Sequence, residues 1–164
     1  MMENKTLENL MAAFAGESQA TRKYEIYSAK AEKEGKYNAA KLFKAAADAE
    51  KLHAKKEFEL AGKVGNTTDN LADAKAGETY EYQSMYPEFI KAAEAEGNNA
   101  AVGAFTFAMK AEEVHAKLYQ EALDNLDETE EVFYYLCPVC GNIEKSVPDR
   151  CFICGVMGSK FIKY

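Results

Sequence analysis

The chain has 164 residues, of which 48% are hydrophobic and 29% are charged, and its net charge is −7. This size suits one ordinary domain, or one domain with a small appendage, and the composition is that of a folded globular protein. The negative charge argues against nucleic acid as a partner, because duplex binding needs a basic surface. No apolar run approaches the ~18 residues of a membrane span, and the first ten residues do not resemble a signal sequence, so we expect a cytoplasmic protein without a membrane partner.

Four helices are predicted before residue 131. The first runs from about residue 6 to residue 34, with Thr6 as its N-cap, and the second runs from about Tyr37 to Leu60. Both are rich in alanine, carry apolar residues at helical spacing and are followed by glycine. A third helix contains Pro87 and should bend or distort there, because proline lacks a backbone donor. The fourth runs from about Asn99 to Leu126.

The second pair of helices repeats the sequence of the first pair. Thr6-x-x-Asn9-Leu10 returns as Thr67-x-x-Asn70-Leu71, and Ala15-Gly16-Glu17 returns as Ala76-Gly77-Glu78, both 61 residues later. The later correspondences, including Glu50-x-x-His53 with Glu112-x-x-His115, are offset by 62, which requires one inserted residue. The sequence therefore predicts a duplicated helical hairpin, and two such hairpins predict a bundle.

The two Glu-x-x-His motifs contain both histidines of the chain. Residues three apart lie on the same face of a helix, so each motif offers a carboxylate and an imidazole in one direction. An exposed ion pair would be the ordinary explanation of a single motif of this kind. It does not account for the repeat, so we interpret both motifs as metal-ligand pairs.

Two hairpins related by a pseudo-twofold axis would combine these pairs with Glu17 and Glu78. Four carboxylates in one bundle require cations, because burying unpaired charges costs several kcal/mol each. This is the pattern of ferritin-like di-iron and di-manganese proteins, and oxygen-rich ligands favour iron or manganese over zinc. Glu81, three residues after Glu78, is either a seventh ligand or a solvent-exposed acid. The predicted ligands are Glu17, Glu50, His53, Glu78, Glu81, Glu112 and His115; four nearby tyrosines, Tyr24, Tyr80, Tyr82 and Tyr86, are predicted core residues, with a hydroxyl bonded to a ligating carboxylate as the alternative.

The composition changes after an acidic stretch at residues 127–131. Residues 132–136 are β-prone and all four cysteines follow them, so we predict a helical domain over residues 1–131 and a small metal domain over residues 132–164. Two Cys-x-x-Cys pairs, each followed by glycine, suit tetrahedral coordination by four thiolates, those of Cys137, Cys140, Cys151 and Cys154. The spacing alone leaves iron and zinc open, and disulfides are the weaker alternative in the cytosol. A redox site upstream favours iron, because a thiolate-bound iron can deliver electrons singly.

With these motifs in this order, the chain resembles the rubrerythrin family over essentially its full length. The resemblance is carried by Gly16-Glu17, Glu50-x-x-His53, Gly77-Glu78-x-x-Glu81, Glu112-x-x-His115 and the two cysteine pairs. It implies a mainly α fold, a ferritin-like four-helix bundle followed by a rubredoxin-like domain, with two non-haem irons in the bundle and one iron in the tetracysteine site. Phe152 departs from the family, in which many members have proline.

The resemblance also implies an activity, the reduction of hydrogen peroxide to water as a protection against oxidative stress. The electrons would come ultimately from NADH, through a rubredoxin or a pyridine-nucleotide-dependent reductase, and would pass through the tetrathiolate iron. Glu81 and His53 would be alternate ligands of one iron. The alternative function is a ferritin-like protein that binds or oxidises iron and carries a structural zinc ribbon.

The connection between the second and third helices bears on assembly. Residues 61–66 reach at most ~20 Å when extended, whereas a 24-residue helix is ~36 Å long. A bundle-length crossover therefore does not fit. Either the start of the third helix is an extended crossover, or two chains exchange hairpins; in both cases we expect a homodimer or a higher homo-oligomer.

Overall fold

The computed structural model describes residues 5–164. Contacts divide it into two compact units, the first ending at Gly65 and the second spanning Asn66–Tyr164. The first unit is a hairpin of two helices, α1 (Lys5–Lys33) and α2 (Tyr37–Leu60). The predicted bounds of the second helix are confirmed, but the prediction that Thr6 caps the first is wrong, because Thr6 already lies inside α1.

Small residues bring α1 and α2 together. The buried residues of this hairpin are Ser28 and the alanines Ala31, Ala40, Ala47 and Ala54. The Ser28 hydroxyl donates to the carbonyl of Ala40 at 2.9 Å near the turn, and the rings of Phe14 and Phe58 meet at 4.5 Å towards the open end. The close approach allows side chains of both helices to lie side by side on one face of the hairpin.

The second unit begins with α3 (Thr67–Tyr80), a π-helical turn (Glu81–Met85), α4 (Tyr86–Ala95) and α5 (Asn99–Asp124). The side chain of Asn66 accepts a hydrogen bond from the backbone N–H of Asp69, so α3 is helical from its first residue. The extended-crossover alternative is therefore wrong. The distortion predicted from Pro87 is confirmed: the wide π-helical turn ends where α4 begins, with Pro87 in the first turn of α4.

The π-helical turn accommodates the inserted residue. Seven residues separate Glu17 from Tyr24, but eight separate Glu78 from Tyr86. Both hairpins nevertheless build the same aromatic cluster, because the backbone N–H of Tyr86 bonds to the carbonyl of Glu81 five residues earlier and takes up the extra residue. The clusters are Tyr24, Tyr27 and Phe43 in the first unit and Tyr86, Phe89 and Phe105 in the second.

A small sheet follows α5. Its strands are β1 (Tyr135–Leu136), β2 (Ile143–Glu144) and β3 (Ile162–Lys163), paired antiparallel in the order β2-β1-β3. Reciprocal backbone hydrogen bonds between Tyr134 and Tyr164 close the domain. The sheet lies against α5, and Lys145 forms an ion pair with Glu121 across that contact. The division at residues 131 and 132 stays a prediction.

Within residues 5–164, none of the helices has the length and apolar character that crossing a membrane requires.

Candidate metal centres

The first cluster lies on the hairpin of α1 and α2. Glu17, Glu50 and His53 offer ligand atoms that all lie within 4.8 Å of one another. The Nδ1 atom of His53 is 2.8 Å from an Oε atom of Glu50, as the three-residue helical spacing predicts. The pKa of Glu17 is raised, first because of its hydrogen bond with Glu50, and then by burial and the charge of Glu50. Two carboxyl groups held this close form an arrangement that a cation would stabilise.

The second cluster repeats this geometry on α3 and α5. Glu78, Glu112 and His115 again lie within 4.8 Å of one another. The Nδ1 atom of His115 is 2.7 Å from Glu112 and 3.8 Å from Glu78. Burial and then the hydrogen bond with Glu112 raise the pKa of Glu78 to about 7. Burial alone would raise the pKa of Glu112 as well, but hydrogen bonds with His115 and Glu78 outweigh it and lower that pKa. The two carboxyl groups of this cluster thus differ, because the pKa of Glu78 is raised and that of Glu112 is lowered.

The two imidazoles differ in their surroundings. The Nε2 atom of His115 is 2.9 Å from the carbonyl oxygen of Gly141, in the cysteine domain of the same unit. Because only an N–H can pair with a carbonyl, this contact assigns the N–H to Nε2 and leaves Nδ1 to face the carboxylates. The side chain of His115 is 17% exposed, against 61% for His53. The ring of His115 is thus oriented by a backbone contact, whereas His53 has no such contact with residues 5–164.

Glu81 opens the π-helical turn beside the second cluster. Burial raises its pKa, followed by the charge of Glu112, while the charge of His115 lowers it. It does not belong to the group of ligand atoms within 4.8 Å of one another. Glu81 therefore lies within electrostatic reach of Glu112 and outside the compact three-residue cluster.

Two residues near the clusters were missed by sequence reasoning. Glu57, one helical turn after His53, has a buried carboxyl oxygen without a hydrogen-bond partner among the described residues, and its charge contributes to the raised pKa of Glu17. Tyr119 occupies the matching place in the second hairpin, and its pKa is raised by burial and by the charges of Glu78 and Glu112. Each of these residues lies four positions after a histidine, and this helical spacing could have placed both near the clusters. Because one is Glu and the other is Tyr, the sequence repeat did not reveal them.

The four predicted tyrosines divide in their roles. Tyr24 and Tyr86 belong to the aromatic clusters, as predicted for core residues. Burial, followed by the charges of Glu112, Glu81 and Glu78, raises the pKa of Tyr86, so its hydroxyl stays neutral near the second cluster. Tyr82 accepts a hydrogen bond from Gln83. Tyr80 is exposed, so the core prediction is wrong for that residue.

The four cysteines form the third site. The Sγ atoms of Cys137 and Cys154 are 3.6 Å apart, and those of Cys140 and Cys151 are 3.5 Å apart. These distances exclude disulfides, which require about 2.05 Å, and approach the ~3.8 Å edge of a tetrahedron with metal–sulfur bonds of about 2.3 Å. The thiolate donor set and its spacing fit one tetrahedral metal ion.

Glycines shape the two loops that hold these cysteines. Gly141 and Gly155 have φ values of 80° and 77°, a left-handed conformation that residues other than glycine rarely adopt. Burial raises the pKa of the Cys151 thiol, but backbone hydrogen bonds from Cys154 and Ile153 outweigh burial and lower that pKa to about 7. The loops thus supply N–H donors that stabilise thiolate sulfur. Asn142, which is fully buried, directs its amide nitrogen to Glu144 at 2.9 Å and to Cys151 at 3.9 Å.

Comparisons with known proteins show the family of this chain. The family model for rubrerythrin matches residues 8–123. The chain is 38% identical to nigerythrin of Nitratidesulfovibrio vulgaris, over 91% of this chain and 81% of the relative. It is 36% identical to rubrerythrin-2 of Clostridium acetobutylicum, over 95% of both chains. A solved structure of fully reduced, all-ferrous nigerythrin superposes with a TM-score of 0.61 at 37% identity, covering 97% of this chain and 86% of that one.

The carboxylate–histidine clusters and the tetracysteine site define a ferritin-like metalloprotein with an appended rubredoxin-like centre, so the predicted fold class is confirmed. The chain belongs to the rubrerythrin family, whose members carry a di-iron site and a rubredoxin-like iron centre and act in oxidative-stress defence. The donor sets present here fit both groups.

Proposed function

We propose that this chain is a non-haem di-iron peroxidase that reduces hydrogen peroxide to water with electrons relayed by its iron-tetrathiolate centre. The observation that carries the proposal is the 2.9 Å contact between His115 and the carbonyl of Gly141. Gly141 directly follows the metal-binding Cys140, and His115 is a ligand candidate of the carboxylate site. One hydrogen bond therefore links the peptide of one metal centre to a ligand of the other.

The proposed di-iron site combines both three-residue clusters. Glu50 and Glu112 would serve as the bridging carboxylates, and the terminal ligands would be Glu17, Glu78, His115 and, as alternates on one iron, Glu81 and His53. When bound, two ferrous ions can supply one electron each, which matches the two electrons that peroxide needs. The balanced reaction consumes one peroxide, two electrons and two protons and yields two water molecules.

The chain's own residues prepare this site in three ways. Neighbouring carboxyl groups contribute to the raised pKa values of Glu17 and Glu78, and a cation would stabilise this close arrangement of acids. His115, oriented by Gly141, would offer Nδ1 to a bound metal. The neutral hydroxyls of Tyr86 and Tyr119 can donate hydrogen bonds to the carboxylates or to peroxide, because their raised pKa values keep them protonated.

Electron supply requires a partner. We propose a cytoplasmic rubredoxin or an NADH-linked reductase that docks near the cysteine loops, where Val139 and Phe152 are 60% and 66% exposed. A thiolate iron accepts one electron at a time, so two deliveries restore the ferrous pair after each peroxide.

The test compares protein carrying iron at the cysteines with protein carrying zinc there. We expect the iron form to absorb visible light, to bleach with dithionite and to reduce peroxide repeatedly when reduced rubredoxin is supplied. The zinc form, with its di-iron site reduced beforehand, should consume about one equivalent of peroxide and then stop. Equal multiple turnover by both forms would remove the relay from the proposal, and zinc as the native cysteine metal would favour the iron-binding alternative.

A further inference from the structure

The two cysteine loops share one backbone arrangement. In the first loop, the carbonyl of Asn142 accepts a hydrogen bond from the N–H of Cys137 at 2.8 Å, and the N–H of Asn142 donates to the sulfur of Cys140. In the second loop, Val156 makes the same two contacts with the cysteines of that loop. The backbone of the loop therefore requires no particular side chain at this position, because asparagine and valine both fit it.

The asparagine side chain is costly at this place. Asn142 is fully buried, and its side-chain oxygen has no hydrogen-bond partner among residues 5–164. An unsatisfied buried acceptor costs about 1–3 kcal/mol, and a valine like that of the second loop would avoid this cost. The fold of the loop thus gives no reason for asparagine, and the contacts of its amide nitrogen must supply one.

The amide nitrogen of Asn142 lies between a carboxylate and a sulfur. It is 2.9 Å from an Oε atom of Glu144 and 3.9 Å from the Sγ atom of Cys151, a cysteine of the other loop. A side-chain amide has two N–H groups, so it can donate to both acceptors at once. A valine could make neither contact. The side chain of Asn142 therefore adds to the first loop a donor that reaches a cysteine of the second.

The charge on the sulfur sets the strength of this donor contact. Metal-bound thiolates carry more negative charge than thiols, and hydrogen bonds to charged acceptors are about twice as strong as neutral ones. Reduction of a bound iron adds one negative charge, which the sulfurs share, so an N–H donor stabilises the reduced centre more than the oxidised one. The carboxylate of Glu144 has the opposite effect, because it repels added negative charge and engages one N–H of the same amide.

We propose that Asn142 is a positioning residue of the electron relay, whose side-chain amide connects the Glu144 carboxylate with the Cys151 sulfur and raises the midpoint potential of the iron-tetrathiolate centre. A higher potential favours the transfer of an electron from a donor protein to this centre. The inference rests on the proposed function in one respect, the presence of iron at the cysteines. A midpoint potential is measured without peroxide, so the inference and the peroxidase activity can fail separately.

Replacement of Asn142 by the residue of the second loop tests the role of the amide. Asn142→Val keeps the backbone contacts and removes the donor to Cys151. We expect the equilibrium constant for reduction of the centre to fall about fivefold, or about 40 mV at about 59 mV for each tenfold change, in a redox titration followed by visible absorption. Val156→Ala, which trims an apolar side chain at the matching position, is the control and should leave the potential unchanged. A potential of Asn142→Val equal to that of the wild type would overturn the proposal.

A second substitution separates the contacts of the amide from a general change in polarity. Glu144→Gln removes the carboxylate charge and should raise the midpoint potential of the wild type, in part through the amide of Asn142. In the Asn142→Val background, the same substitution should produce less than half of that shift, because the connection between Glu144 and the sulfur is missing. Equal shifts in the two backgrounds would overturn the proposed connection.

The wild-type protein offers a test that needs no variant. When an NMR-active cadmium isotope replaces iron at the cysteines, a scalar coupling across each N–H to sulfur hydrogen bond connects the donor proton with the metal. We expect this coupling for a side-chain proton of Asn142, with the backbone N–H of the same residue as the internal reference. Coupling at the backbone proton alone would overturn the proposal, even where Asn142→Val fails to fold. Zinc as the native cysteine metal would contradict the proposed relay, whereas the cadmium measurement would still decide the contact of Asn142.

Discussion

Deletion of Ser84 tests whether the π-helical turn exists to absorb the inserted residue. Seven residues in an α-helix turn through about 700°, so Glu17 and Tyr24 lie within about 20° of one face, whereas eight residues would place Tyr86 about 80° away from Glu78. The π-helical turn removes that difference. Deleting Ser84, whose side chain is exposed, restores the spacing of the first hairpin. A continuous α-helix could then carry both Glu78 and the aromatic residue Tyr86 on one face.

Pro87 sets the energetic consequence of this deletion. In a continuous helix its ring meets a carbonyl and one hydrogen bond is lost, which costs about 3 kcal/mol. We therefore expect the deletion alone to lower the free energy of unfolding by about that amount. Combined with Pro87→Ala, it should come within about 1 kcal/mol of Pro87→Ala in the full-length chain, and metal binding should persist.

Urea unfolding of the metal-free protein measures the four stabilities, those of the wild type, both single variants and the double variant. Iron content after reconstitution reports whether Glu78 still meets Glu112 and His115. A double variant that is as unstable as the deletion alone, or folded but unable to hold iron, would refute the reasoning. In that case the π-helical turn would shape the ligands directly and would not merely restore the phase of the helix.

Three further predictions concern the titratable and polar groups of the metal sites. Glu81→Ala should lower peroxide turnover while metal content stays near normal, and the exposed Glu88→Ala is its control; unchanged turnover would make Glu81 a surface acid. Asn142→Asp places a carboxylate beside Cys151 and should lower the iron-tetrathiolate midpoint potential by tens of millivolts, about 40 mV for each kcal/mol, in a titration followed by visible absorption. The metal-free protein should lose stability as pH rises from about 5 to 7, because the folded-state pKa of Glu78 is raised to about 7 and those of Glu81 and His115 are raised as well. Urea midpoints that are constant or rise over that range would contradict it.

Helical spacing and the repeat carried most of what the sequence could predict. Glu50 and His53 had to share a face because they lie three apart on a helix, and Gly35 and Gly62 marked the ends of the first two helices. The cysteine pairs identified their own site because thiolate spacing is a local property. Each of these inferences depends on contacts between neighbours in sequence.

Features that depend on packing between distant parts of the chain could not be predicted from the sequence. The hydrogen bond from His115 to Gly141 joins residues 26 apart and requires the cysteine domain to lie against α5. Glu57 had no matching acid in the second hairpin, so the repeat could not reveal it. Pro87 predicted a distortion of the helix. Whether it would be a kink or a wider turn depended on keeping the ligand candidates and the aromatic cluster on one face of the helix.

The imidazole of His115 is held by a backbone hydrogen bond, whereas that of His53 is not, so the two rings differ in their freedom to rotate. A ring tied by Nε2 to a backbone carbonyl can leave its metal only by breaking that contact or by dragging the cysteine loop with it. In the first unit taken by itself, the side chain of His53 is 61% exposed and contacts Glu50. In the proposed site, we therefore expect the coordination by His115 to stay constant through a redox cycle and any change of coordination to involve His53. In such a site, the ring of His115 would stay fixed and the ring of His53 would move.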